Sequence, residues 1–202
     1  MKFVESIEAL GQIYPETPSA PAQQKVAHFM TPAYRRWIMA SKFCVVATVG
    51  PEGTDCSPRG DNQPVVRELD KHTLMMPDWR GNNRLDSLRN IVSDGRVSLL
   101  FMVPGENTVV RVNGVAKLTA DPEMTGRFHQ KGQNPKSVIM IKIAEIYVQC
   151  ARALLRSGLW KSGDESAELP SVGDILTEMT SGEFDGVTYD VNWSARAGKT
   201  MW

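Results

Sequence analysis

Seven segments rich in apolar and β-branched residues lie between Phe43 and Val148, and a single convincing helical period interrupts them. They are Phe43–Val49, a second strand beyond the turn Gly50-Pro51-Glu52-Gly53, Val65–Leu69, Thr73–Met76, Arg96–Val103, Thr108–Thr119 and Val138–Val148. Short turns, Asp70-Lys71-His72 and Pro104-Gly105-Glu106-Asn107, join two of the pairs as hairpins. A parallel sheet would need a helix between every pair of strands. The pattern therefore predicts a mainly β chain, a small antiparallel β-barrel with peripheral helices. Thr108–Thr119 sets Val110, Val112, Gly114 and Ala116 against Arg111, Asn113 and Lys117, so one of its faces is apolar and the other polar. Val138–Val148 is apolar on both faces, which predicts a strand that is central or at an interface.

The interrupting helix carries Leu85, Leu88, Ile91 and Val92 at helical spacing, with Asn82 or Asn83 as cap and Asp94-Gly95 as stop. Ser6–Ile13 predicts a short helix, followed by a connector that Pro15, Pro18 and Pro21 keep from being helical throughout. Thr31-Pro32 is an N-cap with proline at the first helical position, and Tyr34, Trp37 and Ile38 share one side of the helix to Ala40. Asp121-Pro122 opens a short helix to Phe128, and Ala151–Leu155 and Gly173–Met179 read as two more. The expected organisation is an N-terminal helix and Pro-rich connector over 1–30 and a barrel domain over 31–162. A tail over 163–202 follows, in which Trp193 and Trp202 suggest packing on the barrel or on a partner subunit.

Charge narrows the function. The 202 residues hold 23 basic and 23 acidic side chains, a formal net charge of zero, which argues against a nucleic-acid partner. Cys44, Cys56 and Cys150 lack zinc-ligand spacing, and His28, His72 and His129 are scattered, so no metal site is predicted. The N-terminal residues lack a signal peptide's apolar core, and no apolar run reaches membrane-spanning length. A reduced, soluble, cytoplasmic protein with no membrane partner is the expectation.

The basic residues gather locally instead. Ser57-Pro58-Arg59-Gly60-Asp61, Pro77-Asp78-Trp79-Arg80-Gly81-Asn82-Asn83-Arg84 and Arg111-Val112-Asn113-Gly114 fall where strands end and a helix begins. Arginine supplies a permanent charge in a fork that matches phosphate oxygens, and a helix N-terminus adds free N–H groups. Arg84 and Ser87, one turn apart at the start of the helix, are placed to share one phosphate, with Asn82 and Asn83 beside them. Arg59, in what reads as a loop after the second strand, is a second candidate, and Ser57, Gly60 and Asp61 lie in the same loop. Taken singly, each of these residues also suits a solvated helix or a plain cap. Together they predict a phosphorylated cofactor and a small-molecule substrate.

Four stretches carry a resemblance. "FCVVATVGPEGTDCSPRGD", "LMMPDWRGNNRLDSLRNIVSDGRVSLLFMVPG", "VVRVNGVAKLT" and Arg156-Ser157-Gly158-Leu159-Trp160 resemble, in that order, the pyridoxamine-5′-phosphate-oxidase-like family. The nearest branch is one of probable FMN-dependent enzymes of unassigned substrate. The resemblance implies a six-stranded antiparallel Greek-key FMN-binding split barrel, and a homodimer with two FMN sites at the subunit interface. It implies FMN as the cofactor, with the backbone at Met76, Pro77 and Asp78 lining the ring or ribityl chain. It also implies Arg111 reaching the ring or the dimer partner, and Trp160 covering the ring with Arg156 nearby. Trp79 stands where the family usually has Arg or Lys, so a phosphate contact is lost there. The implied function is an FMN-dependent oxidoreductase, related to pyridoxamine 5′-phosphate oxidase, acting on a small organic molecule. No side chain stands out as a catalytic acid or base, which a flavin does not require. The alternatives are a non-catalytic flavin- or haem-binding storage protein, or an interaction protein with an empty groove.

Overall fold

A computed structural model describes residues 1–201. Helices α1 (Ile7–Ile13), α2 (Ala20–Gln24) and α3 (Pro32–Ala40) lead into strands β1 (Phe43–Gly50), β2 (Gly53–Gly60), β3 (Arg67–Asp70) and β4 (Thr73–Asp78). Then come α4 (Asp86–Ser93), β5 (Arg96–Met102), β6 (Val109–Thr119), α5 (Pro122–Thr125) and β7 (Ser137–Gln149). Four helices close the chain: α6 (Arg152–Ser157), α7 (Val172–Met179), α8 (Gly186–Val191) and α9 (Trp193–Thr200).

The strands form one antiparallel sheet in the order β2-β1-β5-β6-β7-β4-β3. It has seven strands where the resemblance implied six, and β2 and β3 end it without pairing to each other. Period-2 alternation fixes which face is buried. Cys44 and Val46 on β1, Leu99 and Phe101 on β5, and Val110 and Val112 on β6 all enter one core, which Ile38 of α3 and Ile91 of α4 close. Thr31 caps α3 as its sequence predicts, accepting from the Tyr34 N–H at 3.3 Å.

The alternation of β6 holds to Asn113, where the ladder with β7 shifts register. Gly114 makes the bulge feasible: a methyl there would overlap the carbonyl oxygen of Lys142. Strand β7 is central, between β6 and β4. Its two-faced apolar character is confined to the start. Ile139 joins the main core, while Val138 on the other face meets Met75, Phe128, Trp79 and Met124 of the same chain.

Three local expectations need correction. Val65 and Val66 are buried but precede β3, because the Val65 N–H bonds the Ser41 carbonyl at 3.0 Å rather than a ladder partner. Residues 57–60 belong to β2 and not to a loop. Asn82 and Asn83 do not cap α4; its cap is Leu85. In the tail, Arg196 of α9 lies 4.0 Å from the Tyr189 ring and 5.4 Å from that of Trp193, although Trp193 itself is 55% exposed. Trp202 lies outside the described residues.

Candidate functional site

Strand β2 supplies the first wall. Asp55, Ser57 and Arg59 are half-buried while the residues between them are exposed, so the three share one face at strand period. All of β2 to Gly60 pairs with β1, Ser57 opposite Val46 and Arg59 opposite Cys44. Pro58 is tolerated because β2 is an edge strand with a partner on one side only. Arg59 donates to the Ser57 hydroxyl and, at 3.0 Å, to the Pro58 carbonyl. Gly60 has room for a methyl group, with the Lys42 carbonyl oxygen 3.8 Å away, so crowding within the chain does not demand glycine there.

The entry to α4 supplies the second wall, and its backbone is unusual. Asn83 and Leu85 have φ of 60° and 63°, the left-handed region that a leucine rarely adopts. Asn82 accepts from the Arg84 N–H at 3.1 Å, a local turn that keeps these residues out of the helix. Leu85 then begins the helix without any side-chain cap bond, leaving the first-turn N–H groups for another acceptor. Arg84 therefore precedes α4 rather than sharing its first turn with Ser87. It pairs with Asp86 at 2.6 Å and stays 80% exposed. Ser87 is buried and donates to Asp55.

Asp61 is a tie. It accepts from the Trp79 indole at 2.8 Å and from the Gln130 amide at 3.1 Å, holding the end of β2 to the chain beyond β4. Asp78 faces Ser137 across the β4–β7 ladder, which sets Lys136 beside it. Burial pushes the Asp78 carboxyl above its ordinary value, and the charges of Arg59 and then Lys136 pull it partly back.

These walls enclose a cleft of about 1700 Å³. It gathers ten of the expected residues: Ser57, Arg59, Gly60, Asp61, Pro77, Asp78, Asn82, Asn83, Arg84 and Ser87. Three others lie elsewhere in this chain. Met76 is buried in the core. Arg111 bonds the Tyr147 hydroxyl at 3.2 Å and Gln149 at 3.0 Å in a cross-strand row on β6 and β7. Trp160 donates to the Glu106 carbonyl at 2.9 Å, at the β5–β6 turn. The neighbouring Asn113 is likewise occupied, with Ser98 and Glu145.

The cleft also holds residues that sequence reasoning missed. Asp55 completes the period-2 set with Ser57 and Arg59, a signal hidden by treating that stretch as a loop. Lys131, Gln133 and Lys136 come from the connector before β7, and Lys199 comes from α9. None of these belongs to a motif, and only the tertiary fold assembles them. Among the described residues no three His, Cys, Asp or Glu side chains are grouped to hold a metal ion, and no helix is long and apolar enough to cross a membrane.

Comparison with known proteins matches this arrangement to one family. A family model described as pyridoxamine 5′-phosphate oxidase matches residues 30–150, more than half of the chain. No curated protein matches the chain. Among solved structures, HupZ of Group A Streptococcus is similar at 18% identity and a TM-score of 0.49, over 59% of this chain and 93% of that one. A pyridoxamine 5′-phosphate oxidase-like protein of Lactobacillus delbrueckii is similar at 20% identity and a TM-score of 0.48, over 60% and 95%. General Stress Protein 26 of Bacillus anthracis is similar at 16% identity and a TM-score of 0.42, over 56% and 88%. The family match spans the whole sheet and both walls of the cleft, and the chain belongs to the pyridoxamine 5′-phosphate oxidase family.

Proposed function

We propose that this protein binds FMN in the cleft and acts as an FMN-dependent oxidoreductase on a small organic molecule. The observation that carries the reading is the start of α4. A helix N-terminus without a side-chain cap opens into a cleft that also holds Arg59 and Arg84. Such donors suit a phosphate monoester. The strained backbone at Asn83 and Leu85 holds that end in place before a ligand arrives. Arg59, Arg84 and the first-turn N–H groups would hold the phosphate, and the backbone of Pro77 and Asp78 would line the flavin. When bound, the flavin supplies the chemistry, accepting a hydride and passing it on. The chain's own residues hold it in place and shape the approach to it.

The protein acts as a homodimer of split-barrel subunits on this reading. Arg111 and Trp160 lie away from the cleft of their own chain. In a dimer with sites at the interface they are placed to serve the partner's cleft.

The test is the visible absorption spectrum of the protein after addition of FMN and desalting, for the wild type and for Arg59→Ala. A retained two-band flavin spectrum in the wild type, lost in the variant, is the expected result. A wild-type protein that stays colourless removes the flavin reading.

A further inference from the structure

Resting on the FMN reading, we infer that the cleft holds a second ligand beside the cofactor: a small anionic substrate whose carboxylate or phosphate group is received by Lys131, Lys136 and Lys199. Size is the first argument. The cleft measures about 1700 Å³, whereas a site for one drug-sized ligand occupies about 300–1,000 Å³. One cofactor leaves it partly filled.

Charge is the second argument. Six cationic and four acidic side chains line the cleft, and the acids are engaged away from these lysines. Asp55 accepts from Ser87, Asp61 from Trp79 and Gln130, and Asp86 pairs with Arg84. Asp78 is the exception, since it feels Lys136. Burial shifts that carboxyl toward its neutral form, which weakens its hold on the lysine. None of the three lysines forms an ion pair among the described residues. Their charge is left for a ligand.

The chemical division between the walls is the third. The arginines Arg59, Arg80 and Arg84 stand on β2 and on the chain leading into α4. Their rigid forks suit a phosphate that stays bound. The lysines come from the connector before β7 and from α9, and a lysine is a mobile point charge on a flexible stem. That suits a substrate that must enter and leave. Lys199 lies outside residues 30–150 and so is a feature this chain adds to the family fold. Helix α9 contributes no buried residue to the core, yet Gly198, Lys199 and Met201 reach the cleft. The helix places a charge at the site.

The test uses the FMN-loaded protein, titrated calorimetrically with inorganic phosphate and, separately, with succinate. The two arms separate a phosphate-bearing from a carboxylate-bearing substrate. One of the two anions is expected to bind, and Lys199→Ala to weaken it about tenfold, as loss of one charge-assisted contact does. Lys199 is exposed, so this variant keeps the fold, and its flavin absorbance should match the wild type. Lys136→Ala should act in the same direction. Binding of neither anion to the loaded protein, or equal binding to wild type and both variants, overturns the inference and leaves the FMN reading standing. A chain that takes up no FMN overturns both.

Discussion

Ser87, in the first turn of α4, donates its hydroxyl to the carboxylate of Asp55 on β2. The bond joins the helix that begins the cleft to the edge strand that walls it. Ser87 is 4% exposed and Asp55 half-buried. Ser87→Ala should therefore lower stability by about 1.5 kcal/mol, the low end for a hydrogen bond to a charged group, because water can still reach Asp55. Urea denaturation measures this as a lower midpoint at unchanged slope. An unchanged midpoint would show that the bond does not hold the two walls together.

Arg84 separates binding from stability. Its pairing with Asp86 is solvent-exposed, and such pairs contribute little to folding. Arg84→Ala should leave the melting temperature unchanged while weakening FMN about tenfold or more, through loss of a charge-assisted phosphate contact. Quenching of flavin fluorescence on titration gives the affinity. An Arg84→Ala protein with wild-type affinity would remove Arg84 from the phosphate site.

The contrast between Arg84 and Arg59 shows where sequence reading reaches. The alternation of β1, the Thr31-Pro32 cap and the polar face of β6 were legible because each is set by residue type at a fixed local period. The Ser57–Arg59 stretch was recognised as part of the site but misplaced in a loop. Its proline and glycine read as turn residues, and an edge strand accommodates both. Leu85 could not be recognised as the cap of α4, since leucine is among the residues least suited to the left-handed region. Lys136 enters the cleft only through the pairing of Asp78 with Ser137, a contact between distant parts of the chain. Lys199 is further still, in a tail without a motif.

Asp78 should give the protein a pH signature. Burial raises its carboxyl above the ordinary value of 3.8, against the lowering by Arg59 and Lys136. In the window from that ordinary value up to the raised one, the folded state holds a proton that the unfolded chain releases. This group's contribution to stability then falls as pH rises through the window and is constant above it. Asp78→Asn should flatten that part of the profile, leaving stability at acid pH unchanged and raising it at neutral pH. Arg59→Ala should widen the window by removing the larger opposing charge. Denaturation midpoints across the acid range test both, and a wild-type profile that rises through this window and is unaltered in Asp78→Asn would refute the assignment.

The three thiols should divide two to one. Cys56 and Cys150 are exposed, whereas Cys44 is buried, and burial pushes its thiol up to about 12 despite the nearby charge of Arg59. The thiolate is the reactive form, so Cys44 is protected both by access and by ionisation. A colorimetric thiol reagent should titrate two groups per chain in the native protein and the third only in denaturant. Prompt reaction of all three would mean that β1 opens readily.

Helix α9 reaches the cleft through a contact far from it. Gly173 of α7 and Gly186 of α8 approach so closely that a methyl on either would overlap the other's backbone. The Gly173 N–H also donates to Asp190 of α8 at 3.0 Å. Neither glycine sits at positive φ, so packing rather than conformation requires them. Gly173→Ala gains about 1 kcal/mol of helix propensity, but overpacking costs about 1–3 kcal/mol. The helix pair should open while the sheet, which does not depend on it, stays folded. Hydrogen exchange should then accelerate over residues 172–200 with β1, β5 and β6 still protected. Anion binding to the FMN-loaded protein should weaken as it does in Lys199→Ala, because the lysine is no longer held at the cleft. Unchanged exchange in α7–α9 would show that the pair tolerates the methyl, and wild-type anion affinity alongside faster exchange would show that α9 does not need this anchor.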